Sequence, residues 1–333
     1  MPAPIRRRAV VLLASLVIAL AACGDADQQS SPPPAATASA LPAATASPAS
    51  VFPVTLTDDE GTEVVIDAEP ARIVSLTPAT TEVLALLGFG DRIVATDSGS
   101  DFPESIIPLP DVADFSGVDV EQIVGLEADL VFAGGLGFTP PDVVVQLRSL
   151  GIPVVVVYAP TVEAVYEDIE LVGVAVGQQA AARDIAAAMR AEIDAIAAAV
   201  DSPDRPRVFY EIGYTDATGQ IFAPADDSFV AEMVTLAGGA VITTGDPVSY
   251  EIPLERLIER DPEIILLGVN VFYEPTVEQV TARPGWNVIT AVREDAIIPV
   301  RDTEITRPGP RLAVGLRAMA AAIRPDVTLP AAP

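Results

Sequence analysis

A chain of 333 residues, half of them hydrophobic, holds enough apolar surface for one large or two medium domains with real cores. Histidine is absent and cysteine occurs once, which excludes Ser-His-Asp and Cys-His nucleophiles, histidine-based metal ligation and any internal disulfide. A net charge of −28, with arginine the only cation, argues against nucleic acid or anionic lipid as a partner of the folded part. Hydrolysis by a carboxylate pair stays open in principle, yet no pair among the acidic residues stands out. A non-enzyme without a cofactor is the expectation.

The basic cluster Arg6-Arg7-Arg8 opens an apolar segment from Ala9 to Ala22. That is shorter than the roughly 20 residues a bilayer span needs. A basic start, an apolar middle and small residues before a cut make residues 1–22 a secretory signal. Gly24 to Ser50 is mostly Ser, Pro, Ala, Thr and Gln, with no apolar period to offset the entropy of ordering. Residues 23–50 therefore read as a tether with a reach of roughly 30 Å. Leu20-Ala21-Ala22-Cys23 resembles the lipobox of bacterial lipoproteins. That resemblance implies a lipid on Cys23, the only attachment to a cell membrane, with the protein facing the outside or periplasm.

From Val51 the chain alternates strand-like and helix-like runs. Arg72 to Leu76 is β-rich, and Thr77-Pro78 starts a helix that runs to Leu87 and stops at Gly88. Strands follow at Arg92–Ala95, Leu130–Ala133 and Pro153–Val157, with helices at Asp119–Leu126 and Pro141–Leu150. Continuous apolar runs such as Val154–Val157 suit strands covered on both faces of a parallel sheet. Gly134-Gly135-Leu136-Gly137 lacks a following Gly-Lys-Ser/Thr and reads as a turn, not a phosphate loop. A long helical stretch, Thr161 to Val200, is breakable at Gly177; Met189, Ile193, Ile196 and Val200 mark its buried face.

The second half then echoes the first. Arg207–Tyr210 parallels Arg72–Ser75, and Glu232–Gly238 parallels Glu82–Gly88. Leu254–Ile258 with Glu263–Leu266 parallels Val120–Val124 with Asp129–Phe132. The predicted fold is α/β: two similar lobes, each a mainly parallel sheet flanked by helices, joined by one long helix. Residues 51–160 form the first lobe, 161–200 the connecting helix and 201–333 the second lobe.

Pro70 to Glu82 resembles the opening of the cobalamin and ferric-siderophore binding proteins of bacterial ABC importers. So do Val120-Glu121-Gln122-Ile123 with Ala128-Asp129-Leu130-Val131, and Arg283-Pro284-Gly285-Trp286 before Ala291-Val292-Arg293. The resemblance implies a monomer that captures a corrinoid or a ferric chelate (siderophore or heme) between its lobes and delivers it to permease and ATPase subunits. A surface lipoprotein that senses a ligand is the alternative of another class. By the same resemblance Glu82 and Glu232, matched in the repeat, dock on permease arginines. Ligand contacts are expected on loops at the strand ends: Thr77, Pro78, Asp97 to Asp101 and Phe115 in the first lobe. The second lobe offers Tyr214, Tyr250, Phe272, Tyr273, Trp286 and Arg307. Asp97-Ser98-Gly99-Ser100 departs from the Asp-Tyr or Asp-Phe of many relatives, which leaves the first lobe without that aromatic contact.

Overall fold

The computed structural model describes residues 51–135, 138–270 and 273–332. The signal, the tether, Cys23 and Phe272 lie outside them. A hairpin of β1 (Val54–Thr57) and β2 (Glu63–Ile66) precedes the first α/β unit. That unit comprises β3 (Ile73–Ser75), α1 (Pro78–Leu86), β4 (Ile93–Asp97), β5 (Asp111–Asp114) and β6 (Gly117–Val118). It continues through α2 (Val120–Gly125), β7 (Leu130–Gly134), α3 (Pro141–Ser149) and β8 (Val154–Val157). The strands lie in the order β6-β5-β4-β3-β7-β8, parallel except for the β5–β6 hairpin. Every residue of β3, β7 and β8 is buried, as strands covered on both faces must be.

Two helices follow, α4 (Val162–Ala175) and α5 (Gln179–Val200). The 161–200 stretch is thus not one continuous helix. Gly177 takes φ +72°, a left-handed turn that folds α4 back on α5. Arg183 pairs with Glu170 and Arg190 with Glu163, the register of an antiparallel helix pair. The connecting element is α5 alone, 22 residues and about 33 Å long. Its face of Met189, Ile193, Ile196 and Val200 is buried.

The second unit begins with β9 (Arg207–Glu211), the hairpin β10 (Gly213–Thr215) and β11 (Gln220–Phe222), α6 (Phe229–Leu236) and β12 (Ala240–Ile242). Next come α7 (Leu254–Arg260), β13 (Ile264–Val269), α8 (Val277–Thr281), α9 (Thr290–Arg293) and β14 (Ile297–Arg301). Helices α10 (Thr303–Thr306) and α11 (Leu312–Ile323) close it. Its sheet, β12-β9-β13-β14, is wholly parallel and repeats the order β4-β3-β7-β8 of the first lobe. One apolar core runs through α4, α5, α6 and α11 and reaches both sheets, with a further core on the outer side of each lobe.

The β1–β2 hairpin, not foreseen in the sequence, meets the first lobe through acidic groups. Asp59 accepts from the N–H of Tyr158 at 2.6 Å and its carboxyl faces Asp168 on α4. Burial first, and the Asp59 carboxyl second, push the Asp168 carboxyl up to about 9. A carboxyl raised in the folded state favours folding most below its unfolded value near 3.8, and this contribution is lost as pH rises toward 9. Asp168→Asn should therefore raise the melting temperature at pH 8 and leave it little changed at pH 4. An unaltered melting profile at pH 8 would show that the two carboxyls do not share a proton.

Candidate functional site

The carboxyl ends of the two parallel sheets carry the loops where a doubly wound fold takes its ligand. In the first lobe Thr77 caps α1 by accepting from the Thr80 N–H at 3.3 Å, and Pro78 opens the helix where no N–H is needed. Ser100 Oγ donates to Asp97 at 2.5 Å and the Gly99 N–H at 3.0 Å. A Cβ on Gly99 would lie 2.9 Å from Asp97 Oδ2 and 3.3 Å from Pro78 Cγ, so Thr77, Pro78 and Asp97 form one patch. Burial raises the Asp97 carboxyl, and the Ser100 hydroxyl works against it. Phe115 follows β5 and is 92% exposed. Tyr158 lies past the end of β8 and was overlooked in the sequence; burial first, then the Tyr250 phenol, raise its own phenol, and Tyr250 is 47% exposed.

The second lobe centres on Arg283, which sequence reasoning quoted only as part of a motif. Its guanidinium donates to Glu211, at the end of β9, at 2.6 and 3.0 Å. Both side chains are almost fully buried. Tyr273 donates its phenol to Glu211 at 2.6 Å and accepts from Arg283 at 3.2 Å. The guanidinium also lies 3.7 Å from the ring centre of Tyr214 and 4.6 Å from that of Trp286. Trp286 is 1% exposed and belongs to the outer core, so the ligand contact expected of it is corrected. Its ring meets Phe209 and Tyr214 edge-on, filling space under the loops.

Glu82 and Glu232, expected as docking carboxylates, both make contacts within the fold. Glu82 is 2% exposed and takes a bidentate contact from Arg311, at the start of α11, at 2.6 and 2.9 Å. Glu232 accepts from the N–H of Val162, at the start of α4, at 2.8 Å. Helices α4 and α11 follow the last sheet strand of their respective lobes, so each glutamate holds the matching helix N-terminus of the other lobe. Glu232 does so through a backbone N–H, where a carboxylate is favoured by the helix dipole and the unpaired N–H groups, whereas Glu82 meets α11 through the Arg311 side chain. The repeated placement is real, and its cause is inter-lobe packing.

Arg307 also crosses between lobes, with Asp101 at 2.6 Å and Glu82 at 3.9 Å. It is already neutralised and is not a free cation awaiting an anionic ligand. Gly309, between the two arginines, sits against α1: a Cβ would lie 3.3 Å from Ala79 Cα. The lobes thus meet through Arg307, Gly309 and Arg311 on one side and α6 with α4 on the other.

The model of the periplasmic binding protein family matches residues 73–303, from the first sheet strand of one lobe to past the last of the other. The chain belongs to that family. This binding protein is 30% identical over 281 residues to an uncharacterized ABC transporter substrate-binding lipoprotein, YvrC, of Bacillus subtilis strain 168, covering 83% of this chain and 87% of that one. It is 31% identical over 287 residues to a cobalamin-binding protein of Halobacterium salinarum, covering 83% and 76%. Among solved structures it resembles the periplasmic heme-binding protein RhuT of Roseiflexus sp. RS-1 in apo form. The TM-score is 0.68 at 26% identity, covering 76% of this chain and 97% of the other.

Proposed function

We propose that this binding protein is the substrate-binding lipoprotein of an ABC importer, held at the membrane through Cys23, and that its cleft takes a corrinoid. The names of the Bacillus and Halobacterium relatives support the importer role and the ligand. The observation that favours a corrinoid over heme is that two second-lobe phenols are tied to carboxylates of the fold, Tyr273 to Glu211 and Tyr210 to Asp302. Without histidine, ferric heme would need a tyrosinate ligand. Burial first, then the Glu211 carboxylate, hold the Tyr273 phenol far above its usual range. Burial and Asp302 do the same to Tyr210. A corrinoid brings its own axial ligands and needs mainly apolar and aromatic walls, for which Tyr158 and Tyr250 are the aromatic candidates. A ferric catecholate, strongly anionic, would find Arg307 already paired with Asp101.

Native mass spectrometry of the protein purified from its source reads both the bound ligand and the lipid on Cys23. Calorimetry with cyanocobalamin, hemin and a ferric catecholate side by side should give saturable binding of the first. Binding of hemin or the catecholate alone overturns the choice. An unacylated Cys23 in membrane-extracted protein removes the anchor.

Docking is reassigned to Glu121 and Glu255. They occupy equivalent places in the repeat, in the first turns of α2 and α7, and both are exposed. Changing both to Ala should leave ligand affinity within about threefold while uptake falls at least about tenfold, a loss of only ~1.4 kcal/mol of docking energy. Normal uptake by the double variant would end this assignment.

A further inference from the structure

Helix α7 reads Leu254-Glu255-Arg256-Leu257-Ile258-Glu259-Arg260 and holds two cations that the fold leaves unanswered. Among the described residues every other arginine sits in an ion pair or donates a side-chain hydrogen bond. Arg256 and Arg260 do neither, although the protein carries a net charge of −28 and Glu255 and Glu259 stand on the same helix. The Nε of Arg256 is buried without an acceptor. Its guanidinium packs against Gly245: a Cβ there, at φ +78°, would fall 1.8 Å from Nη2. Arg260 is exposed one turn further on, and the two arginines with Glu259 line a recess of about 310 Å³.

Like charges four residues apart cost a helix a few tenths of a kcal/mol, so the helix dipole explains Arg260 in the last turn but not Arg256 beside it. Two guanidinium forks one turn apart suit a tetrahedral oxyanion, which each can grip through two N–H groups. We propose that this recess binds a phosphate group. Glu259 leaves a local charge of about +1, which matches a singly charged phosphate or phosphodiester better than a polyanion. The net negative charge of the chain opposes approach to an anionic bilayer, so a dissolved phosphate ester is the expected source rather than a lipid headgroup.

The test uses the full chain with inorganic phosphate, with acetate as a planar control, and with vesicles of phosphatidylglycerol or phosphatidylcholine. Phosphate should bind saturably by calorimetry, more tightly than acetate, and weaken as chloride is raised. Arg256→Gln/Arg260→Gln should weaken it at least about tenfold, and Arg260→Gln, at an exposed position that folding does not need, by about threefold. Preferential flotation with phosphatidylglycerol, lost in the double variant, would make a lipid headgroup the source of the phosphate. No binding of phosphate or phosphatidylglycerol by the unaltered chain, equal binding by the variants, or acetate binding as tightly as phosphate, overturns the assignment.

Discussion

Glu82→Ala should destabilise the protein strongly instead of impairing its contact with a permease. The change leaves Arg311, and Arg307 beside it, without the carboxylate that joins the lobes. Removing one partner of a buried pair costs about 3–5 kcal/mol when the other charge stays buried. Arg311 keeps Glu304 at 2.9 Å and some access to water, so about 2–4 kcal/mol is the better figure. At about 2–4 °C per kcal/mol for a domain of this size, melting should fall by roughly 4–16 °C. Glu232→Ala removes one hydrogen bond and a dipole contact, and should cost only about 1 kcal/mol. Adding Arg311→Met to Glu82→Ala should recover part of the loss, because the uncompensated cation is gone. A Glu82→Ala protein that melts normally yet imports poorly would return Glu82 to the docking surface.

The sequence was most legible where a local rule and a burial requirement coincide. Pro78 at a helix start, Gly88 after its end and the apolar run at β8 each mark an element without reference to the rest of the chain. The repeat was legible too, since equal lobes keep equal element order in both sheets. What the repeat could not disclose is which way a matched side chain faces. Glu82 and Glu121 are both acidic residues on helices of the first lobe, and only packing buries one and exposes the other. The short hairpins were missed because strands of two to four residues are too short to show a period. Arg283 was hidden for a different reason. Its partners Glu211, Tyr214 and Tyr273 come from separate segments, and spacing carries no trace of a pair 72 residues apart.

That cluster carries the other large expected effect. Arg283→Ala strips the cation from a carboxylate with no exposed surface, leaving Glu211 with only the Tyr273 phenol. The cost should reach about 3–5 kcal/mol, the upper end for a broken buried pair, and two ring contacts are lost with it. Urea unfolding should show an earlier midpoint with little change in slope. Glu211→Leu with Arg283→Met, which replaces the pair by apolar groups of similar size, should recover much of that stability. The same double variant frees Tyr273 from the neighbour that helps hold its proton, so its phenol should titrate at lower pH than in the unaltered protein. If the phenols decide against heme, hemin added to this variant should develop the charge-transfer band of an iron–phenolate bond, absent in the parent. A parent protein that already shows the band would reverse the ligand choice, and a variant that titrates Tyr273 unchanged would detach Glu211 from it.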